Sequence, residues 1–188
     1  MRVTLVNGSA SSDSHTGALL SHIQLVFAKK GVDVQLIHLL DLDLPTVMPE
    51  YHQDPIKTPN ARVKTWIRLI ENSDALILAT PLYHGSYSGL LKNALDQLAP
   101  DALRGKIVGL VTNAGGGRSI QALEHLQTII RTLYGYTAQT FIATNGEDYE
   151  RTTDGYVLQD EGIQRRSERL VDEILFLTQS LTQQSLQG

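Results

Sequence analysis

Residues 7–16 read Asn-Gly-Ser-Ala-Ser-Ser-Asp-Ser-His-Thr, five hydroxyl side chains and a glycine directly after an apolar run. Between a strand and a helix, such a stretch offers an anion neutral donors. These are the amides at the helix start and the hydroxyls of Ser9, Ser14 and Thr16, and the positive end of the helix dipole adds to them. Gly8 lets the backbone turn close to a bound group. The same residue types also make good helix caps, so the run by itself is equally compatible with a capped turn. Residues 80–89, Thr-Pro-Leu-Tyr-His-Gly-Ser-Tyr-Ser-Gly, place two tyrosines and a histidine after a second apolar run. A planar ligand could stack on such a ring while loop amides reach its polar edge, although two half-buried interface tyrosines would read the same way. Residues 112–119, Thr-Asn-Ala-Gly-Gly-Gly-Arg-Ser, hold three consecutive glycines. That pattern implies close backbone approach or positive φ. Arg118 beside them reads either as an exposed helix-start residue or as an anion contact.

Other chemistries are disfavoured by what the chain lacks. It has no Gly-Lys-Thr of a P-loop and no G-x-G-x-x-G. Residues 85–89 approach the esterase elbow G-x-S-x-G, but Tyr87 stands where the nucleophile belongs. The six histidines, at 15, 22, 38, 52, 84 and 125, never fall at metal-ligand spacing, and no metal site is expected. With no cysteine, thiolate catalysis, iron–sulfur clusters and disulfides are excluded. This pattern suits an enzyme whose cofactor carries the chemistry while the protein supplies position and hydrogen bonds. The net charge of −4 and the lack of a Lys/Arg stripe argue against a nucleic-acid surface. The apolar N-terminal run is too short for a signal peptide, and no segment has the length of a membrane span. The expected location is therefore the cytoplasm, with no membrane partner.

The elements that must position these loops follow from hydrophobic pattern. Residues 3–6, 32–39, 74–80, 106–112 and 137–143 read as five strands, the near-continuous apolar runs of a buried parallel sheet. Residues 16–30, 61–72, 88–98, 119–134 and 162–181 read as helices, with Gly31 at a C-cap position. Residues 41–60 hold four of the six prolines and read as a long irregular loop. A βαβαβαβαβα alternation in 188 residues predicts one α/β domain with a doubly wound five-stranded parallel sheet, order 2-1-3-4-5. The Gln/Ser-rich tail, residues 179–188, is expected to fray. In this order ligands bind at the switch point, between the first and third strands, where all three loops converge.

Taken together, the three loops resemble the NADPH-dependent FMN reductase family, the flavodoxin-like NAD(P)H:flavin, quinone, azo and chromate reductases. Gly8, Ser9, Ser14 and Thr16 match the family's phosphate signature. The second loop is the more specific match. Pro81-x-Tyr83-x-x-Ser86-x-Ser88-Gly89-x-Leu91-Lys92-Asn93-x-x-Asp96 follows the family pattern almost throughout. The resemblance runs from Val3 to about Ala143. Many members carry Arg where Ser11 stands, so here the phosphate is expected to rest on amides and hydroxyls. Many also carry a polar residue where Leu82 stands.

The resemblance implies a flavodoxin-like fold and FMN as cofactor, with NADPH or NADH as co-substrate. Ser9, Ser11, Ser14, His15 and Thr16 would hold the phosphate. Pro81, Leu82, Tyr83, His84, Gly85 and Ser86 would line the isoalloxazine ring, and Asn113, Gly115, Gly116 and Gly117 would close the far side. Arg118 is a weak candidate contact to the nicotinamide nucleotide. The implied reaction is hydride transfer from NAD(P)H to bound FMN and on to a quinone, flavin, azo or metal-oxyanion acceptor, with no catalytic side chain required. The alternative is an electron carrier or FMN-binding regulatory protein without NAD(P)H turnover. A homodimer or homotetramer is expected, with residues 41–60 and the second loop as interface elements. Lys92, Asn93 and Asp96 read as structural supports.

Overall fold

The first apolar run becomes β1 (Val3–Asn7), buried at every position. It lies between two parallel neighbours, β2 (Val34–His38) and β3 (Ala75–Pro81). β4 (Ile107–Ala114) pairs with β3, and β5 (Tyr136–Thr137) and β6 (Ile142–Asn145) share its far edge. The order β2-β1-β3-β4-β5 is the one expected, in a computed structural model that describes residues 1–185. Register pairs Asn7 with Ala79, Pro81 with Asn113 and Ala114 with Asn145, which brings the carboxyl ends of these strands together.

The helices sort by the pleat, because successive strand residues point to opposite faces. Val3, Leu5, Ile77 and Val111 pack with α1 (His15–Lys29) and α6 (Glu161–Ser185). Val6, Leu78 and Leu110 pack with α3 (Ala61–Glu71), α4 (Gly89–Asp96) and α5 (Gln121–Thr132). Trp66, fully buried on α3, donates its indole N–H to the Ala94 carbonyl at 2.7 Å and so joins α3 to α4. No described helix is long and apolar enough to cross a membrane.

The structure differs from expectation in four places. The expected fifth strand over residues 137–143 is two short pieces. Between them Glu173 of α6 accepts the amides of Gln139 and Thr140 at 2.5 and 2.9 Å, and Arg166 donates to the Phe141 carbonyl. Side chains of α6 thus take backbone groups that a continuous strand would bond to a neighbour. The expected loop over residues 41–60 begins in the four-residue helix α2 (Leu39–Leu42) and contains two 3₁₀ turns, Pro49–Tyr51 and Pro55–Lys57. Each turn opens on the proline that suits a first helical position. Asn93 of α4 and Gln97 just after it hold this segment through Val47 and Pro45, and Lys92 pairs with Asp96, so these residues do serve as supports. An antiparallel hairpin, β7 (Tyr149–Thr152) and β8 (Gly155–Leu158), lies where no element was expected. Finally, α6 stays helical through Ser185, across most of the tail expected to fray; residues 186–188 lie outside the described residues.

One contact fixes the switch point. Gly8 donates its amide to the Ala79 carbonyl at 2.8 Å, and its carbonyl accepts the Ser88 hydroxyl at 2.6 Å. Ser88 Oγ also accepts the Leu91 amide at 3.1 Å, capping α4, while the Ser88 amide donates to Thr80 Oγ1 at 2.9 Å. A Cβ on Gly8 would sit 2.8 Å from the Ala79 carbonyl oxygen and 3.0 Å from Leu91 Cβ. Because the first obstacle is backbone, the strands themselves would have to shift. Gly8→Ala is therefore expected to destabilise the protein by about 1–3 kcal/mol, the usual cost of overpacking. Urea unfolding measures this, and an unchanged midpoint would show that the contact can relax.

Candidate functional site

The first loop leaves its helix start open to an anion. Asn7 is buried, and its Oδ1 accepts the Ser9 amide at 3.0 Å, which begins the turn. Ser9, also buried, accepts the Ser11 amide on Oγ at 3.2 Å. Ser14 is extended and caps α1, its Oγ accepting the Gly17 amide at 3.0 Å and its carbonyl the Ala18 amide at 3.0 Å. The Ser14 side chain thereby satisfies one of the four amides that a helix start leaves unpaired, that of Gly17, while the Ala18 bond is the first of the regular helix ladder. Those of His15 and Thr16 have no partner among the described residues. Ser11 is exposed and donates its hydroxyl to the Asp13 carbonyl at 2.8 Å. Thr16 is buried.

The second loop is a tight turn. Tyr83 and Ser86 exchange both amide–carbonyl bonds, at 2.8 and 3.1 Å, with only His84 and Gly85 between them. Both central residues have positive φ, 48° and 79°, as a type I′ turn requires. Pro81 ends β3 in a buried position, and Leu82 prolongs the β3–β4 pairing by donating to the Asn113 carbonyl at 2.8 Å. Tyr83 is 48% exposed at the turn. Ser86 Oγ lies 3.0 Å from His125 Nδ1 on α5, against which Tyr87 packs edge-on.

The third loop carries the most telling glycines. Gly115, Gly116 and Gly117 are exposed and none has positive φ. A Cβ built on any of them would meet no atom within 4 Å. Neither backbone strain nor packing within the chain calls for glycine there, and the loop surface is open to close approach of another group. Asn113 is held by donation from Nδ2 to Thr144 Oγ1 at 3.0 Å.

Arg118 is committed within the protein. It makes two bonds to buried Asp148 and a third to Asp160 at 2.6 Å, which ties the third loop to the base of the hairpin and to the start of α6. The hairpin in turn leans on the first loop. The His15 ring packs between Tyr149 and Tyr156, at 4.8 and 4.0 Å between ring centroids. Arg151 pairs with Asp13 at 2.5 Å. The structure thus brings all three loops together. Asp13, Asp148, Tyr149, Arg151 and Tyr156 are site-facing or site-supporting residues that the sequence reading passed over. Their signal was present in the Asp154-Gly155 step between two runs of alternating polarity.

Burial lowers the His15 pKa, with Asp13 opposing and Arg151 assisting, and it lowers that of His22 on the same helix. His22 Nε2 is buried with no hydrogen-bond partner among the described residues. A histidine held neutral in the folded state binds fewer protons than the unfolded chain below about pH 6.5. Stability is then greatest above that pH and falls as the pH drops through it toward the lower folded value. Thermal unfolding at pH 7.5 and 5.5 should show the loss, and proton NMR should place the His15 ring titration below 6.5. A His15 midpoint at or above 6.5 would contradict this.

The NADPH-dependent FMN reductase family model matches residues 1–148. An FMN-dependent NADPH-azoreductase of Staphylococcus haemolyticus (strain JCSC1435) is 39% identical over 181 residues, covering 93% of this chain and 94% of its own. A solved NADH:FMN oxidoreductase in its apo form superposes with a TM-score of 0.68 at 25% identity, over 95% of this chain and 89% of that one. A flavodoxin of Streptococcus pneumoniae superposes with a TM-score of 0.63 at 14% identity, over 93% and 98%, which shows the shared fold. With a flavodoxin-like sheet and a relative matched nearly end to end, this chain belongs to the NADPH-dependent FMN reductase family, oxidoreductases that use FMN and NADPH.

Proposed function

We propose that FMN binds across the carboxyl ends of β1, β3 and β4, and that this chain is a single FMN-binding domain that passes reducing equivalents from NADPH to an azo compound. The observation that carries the reading is the run Gly115, Gly116 and Gly117, three positions at which a Cβ would be free of the chain's own atoms. When bound, FMN supplies reversible hydride chemistry, so no side chain has to act as nucleophile or metal ligand. The protein's part is to bind, orient and polarise. The open amides of His15 and Thr16, with the Ser9 and Ser14 hydroxyls, hold the phosphate, and the Ser11 hydroxyl joins them on leaving the Asp13 carbonyl. The backbone of Pro81, Leu82, Tyr83, His84, Gly85 and Ser86 lines the ring, and the Tyr83 side chain offers a face for the second substrate. Asn113, Gly115, Gly116 and Gly117 close the far edge, where loop amides stabilise negative charge on the reduced ring.

The azo acceptor is supported by the 39% identical azoreductase; quinones, free flavins and metal oxyanions draw on the same exposed ring. Arg118 is held through Nε and Nη2 by Asp148 and Asp160, which leaves its Nη1 donors to contact the nicotinamide nucleotide. Purified protein is expected to carry or take up FMN, to bleach on anaerobic NADPH, and to oxidise NADPH in steady state with an azo dye. Bound FMN without NADPH turnover would make it an electron carrier instead, and a protein that neither binds nor bleaches FMN would end the reading.

We further infer a cytoplasmic homodimer or homotetramer. Support comes from Met48, Ile56 and Tyr83, large apolar side chains exposed on residues 41–60 and on the second loop. Sedimentation at micromolar concentration should show a dimer or tetramer, and a monomer would refute the assignment.

A further inference from the structure

We propose that Arg151, on the hairpin beyond the family-matched residues, provides the fixed positive charge beside the phosphate loop and so selects phosphorylated over unphosphorylated flavin. The proposal rests on the phosphate position assigned above. Residues 7–16 contain no Lys or Arg, and their charged side chain is Asp13. A carboxylate next to a bound phosphate is repulsive unless it is offset. His15 does not supply the offset at neutral pH, since burial favours its neutral form.

Arg151 is built into place for that task. Its Nη1 lies 2.5 Å from Asp13 Oδ2, and its guanidinium sits over the Tyr156 ring at 4.6 Å. Tyr156 in turn packs on His15, the first residue of α1, at 4.0 Å. The column Arg151–Tyr156–His15–Tyr149 therefore includes the first residue of the helix whose start amides are open. Gly155, at φ 122°, completes the approach, because a Cβ there would come within 3.0 Å of Asp13 Oδ1. The guanidinium has five N–H donors and Asp13 occupies one side of it. Tyr156 engages the guanidinium as well, and the residue is exposed, so its remaining donors are accessible from solvent.

The experiment is flavin binding to the apoprotein, by fluorescence quenching, with FMN and riboflavin, which lacks the phosphate. Arg151→Gln should weaken FMN binding roughly tenfold, the worth of a charge-assisted bond. It should leave riboflavin affinity unchanged and flatten the dependence of FMN affinity on salt. Arg151→Lys should recover part of the loss. Asp13→Asn, which removes the opposing charge, should tighten FMN binding. Circular dichroism on each variant confirms folding. Equal weakening for FMN and riboflavin with an unchanged salt dependence would make Arg151 a support for the loop and overturn the proposal, as would wild-type FMN affinity in Arg151→Gln. Wild-type protein that binds neither flavin would overturn the flavin site itself.

Discussion

The distance between the first and second loops is set by one backbone glycine. Gly8 lies close enough to β3 to bond Ala79 through its amide and Ser88 through its carbonyl, and no larger residue fits without moving a strand. The same Ser88 hydroxyl caps α4, and the Ser88 amide is held by Thr80. The end of β1, the end of β3 and the start of the next helix are thus one hydrogen-bonded unit. Everything proposed to contact FMN hangs from it: the helix start of α1 on one side and the His84-Gly85 turn on the other. A doubly wound sheet always opens a crevice at its switch point. Here this contact sets how narrow the crevice is.

A second layer of polar contacts closes the site from behind. Asp148 is buried, and Arg118 bonds it twice while also reaching Asp160. The third loop, the base of the hairpin and the start of α6 are locked together by that cation. A buried carboxylate left without its partner is costly, so the arrangement resists local opening. The hairpin then reaches the first loop through stacked rings and the Arg151–Asp13 pair. Charges that look solvent-facing in sequence are here spent on joining loops. The amides of His15 and Thr16 and the glycines of the third loop take no part in those contacts.

This division suits the chemistry of the family. A cofactor that carries its own reactivity asks the protein for neutral donors, a shaped gap and a fixed dielectric, and it tolerates the lack of an acid–base pair. In the proposed site, anion recognition through amides leaves the phosphate loop short of positive charge, the role proposed for Arg151, which pairs with Asp13 of that loop.

Much of this was legible in the sequence. The alternation of apolar runs and amphipathic stretches determined the α/β class and the sheet order, because strand and helix periodicities are local properties of the chain. The three loops stood out for the same reason: hydroxyls at a helix start, a turn with aromatics and a glycine run each carry their meaning in a few adjacent residues. Lys92, Asn93 and Asp96 were legible as supports. Other features depended on partners far away in the chain. The fifth strand broke in two because Glu173 and Arg166, about thirty residues on, bond its backbone. Arg118 looked free until folding brought Asp148 and Asp160 to it. The glycines at 115–117 could have meant strain or close packing, and only the fold showed that neither applies. Periodicity and turn chemistry act over a few residues, and the sequence by itself determined what they govern. Ion pairs, stacking and steric room act through space, and those the tertiary structure decided.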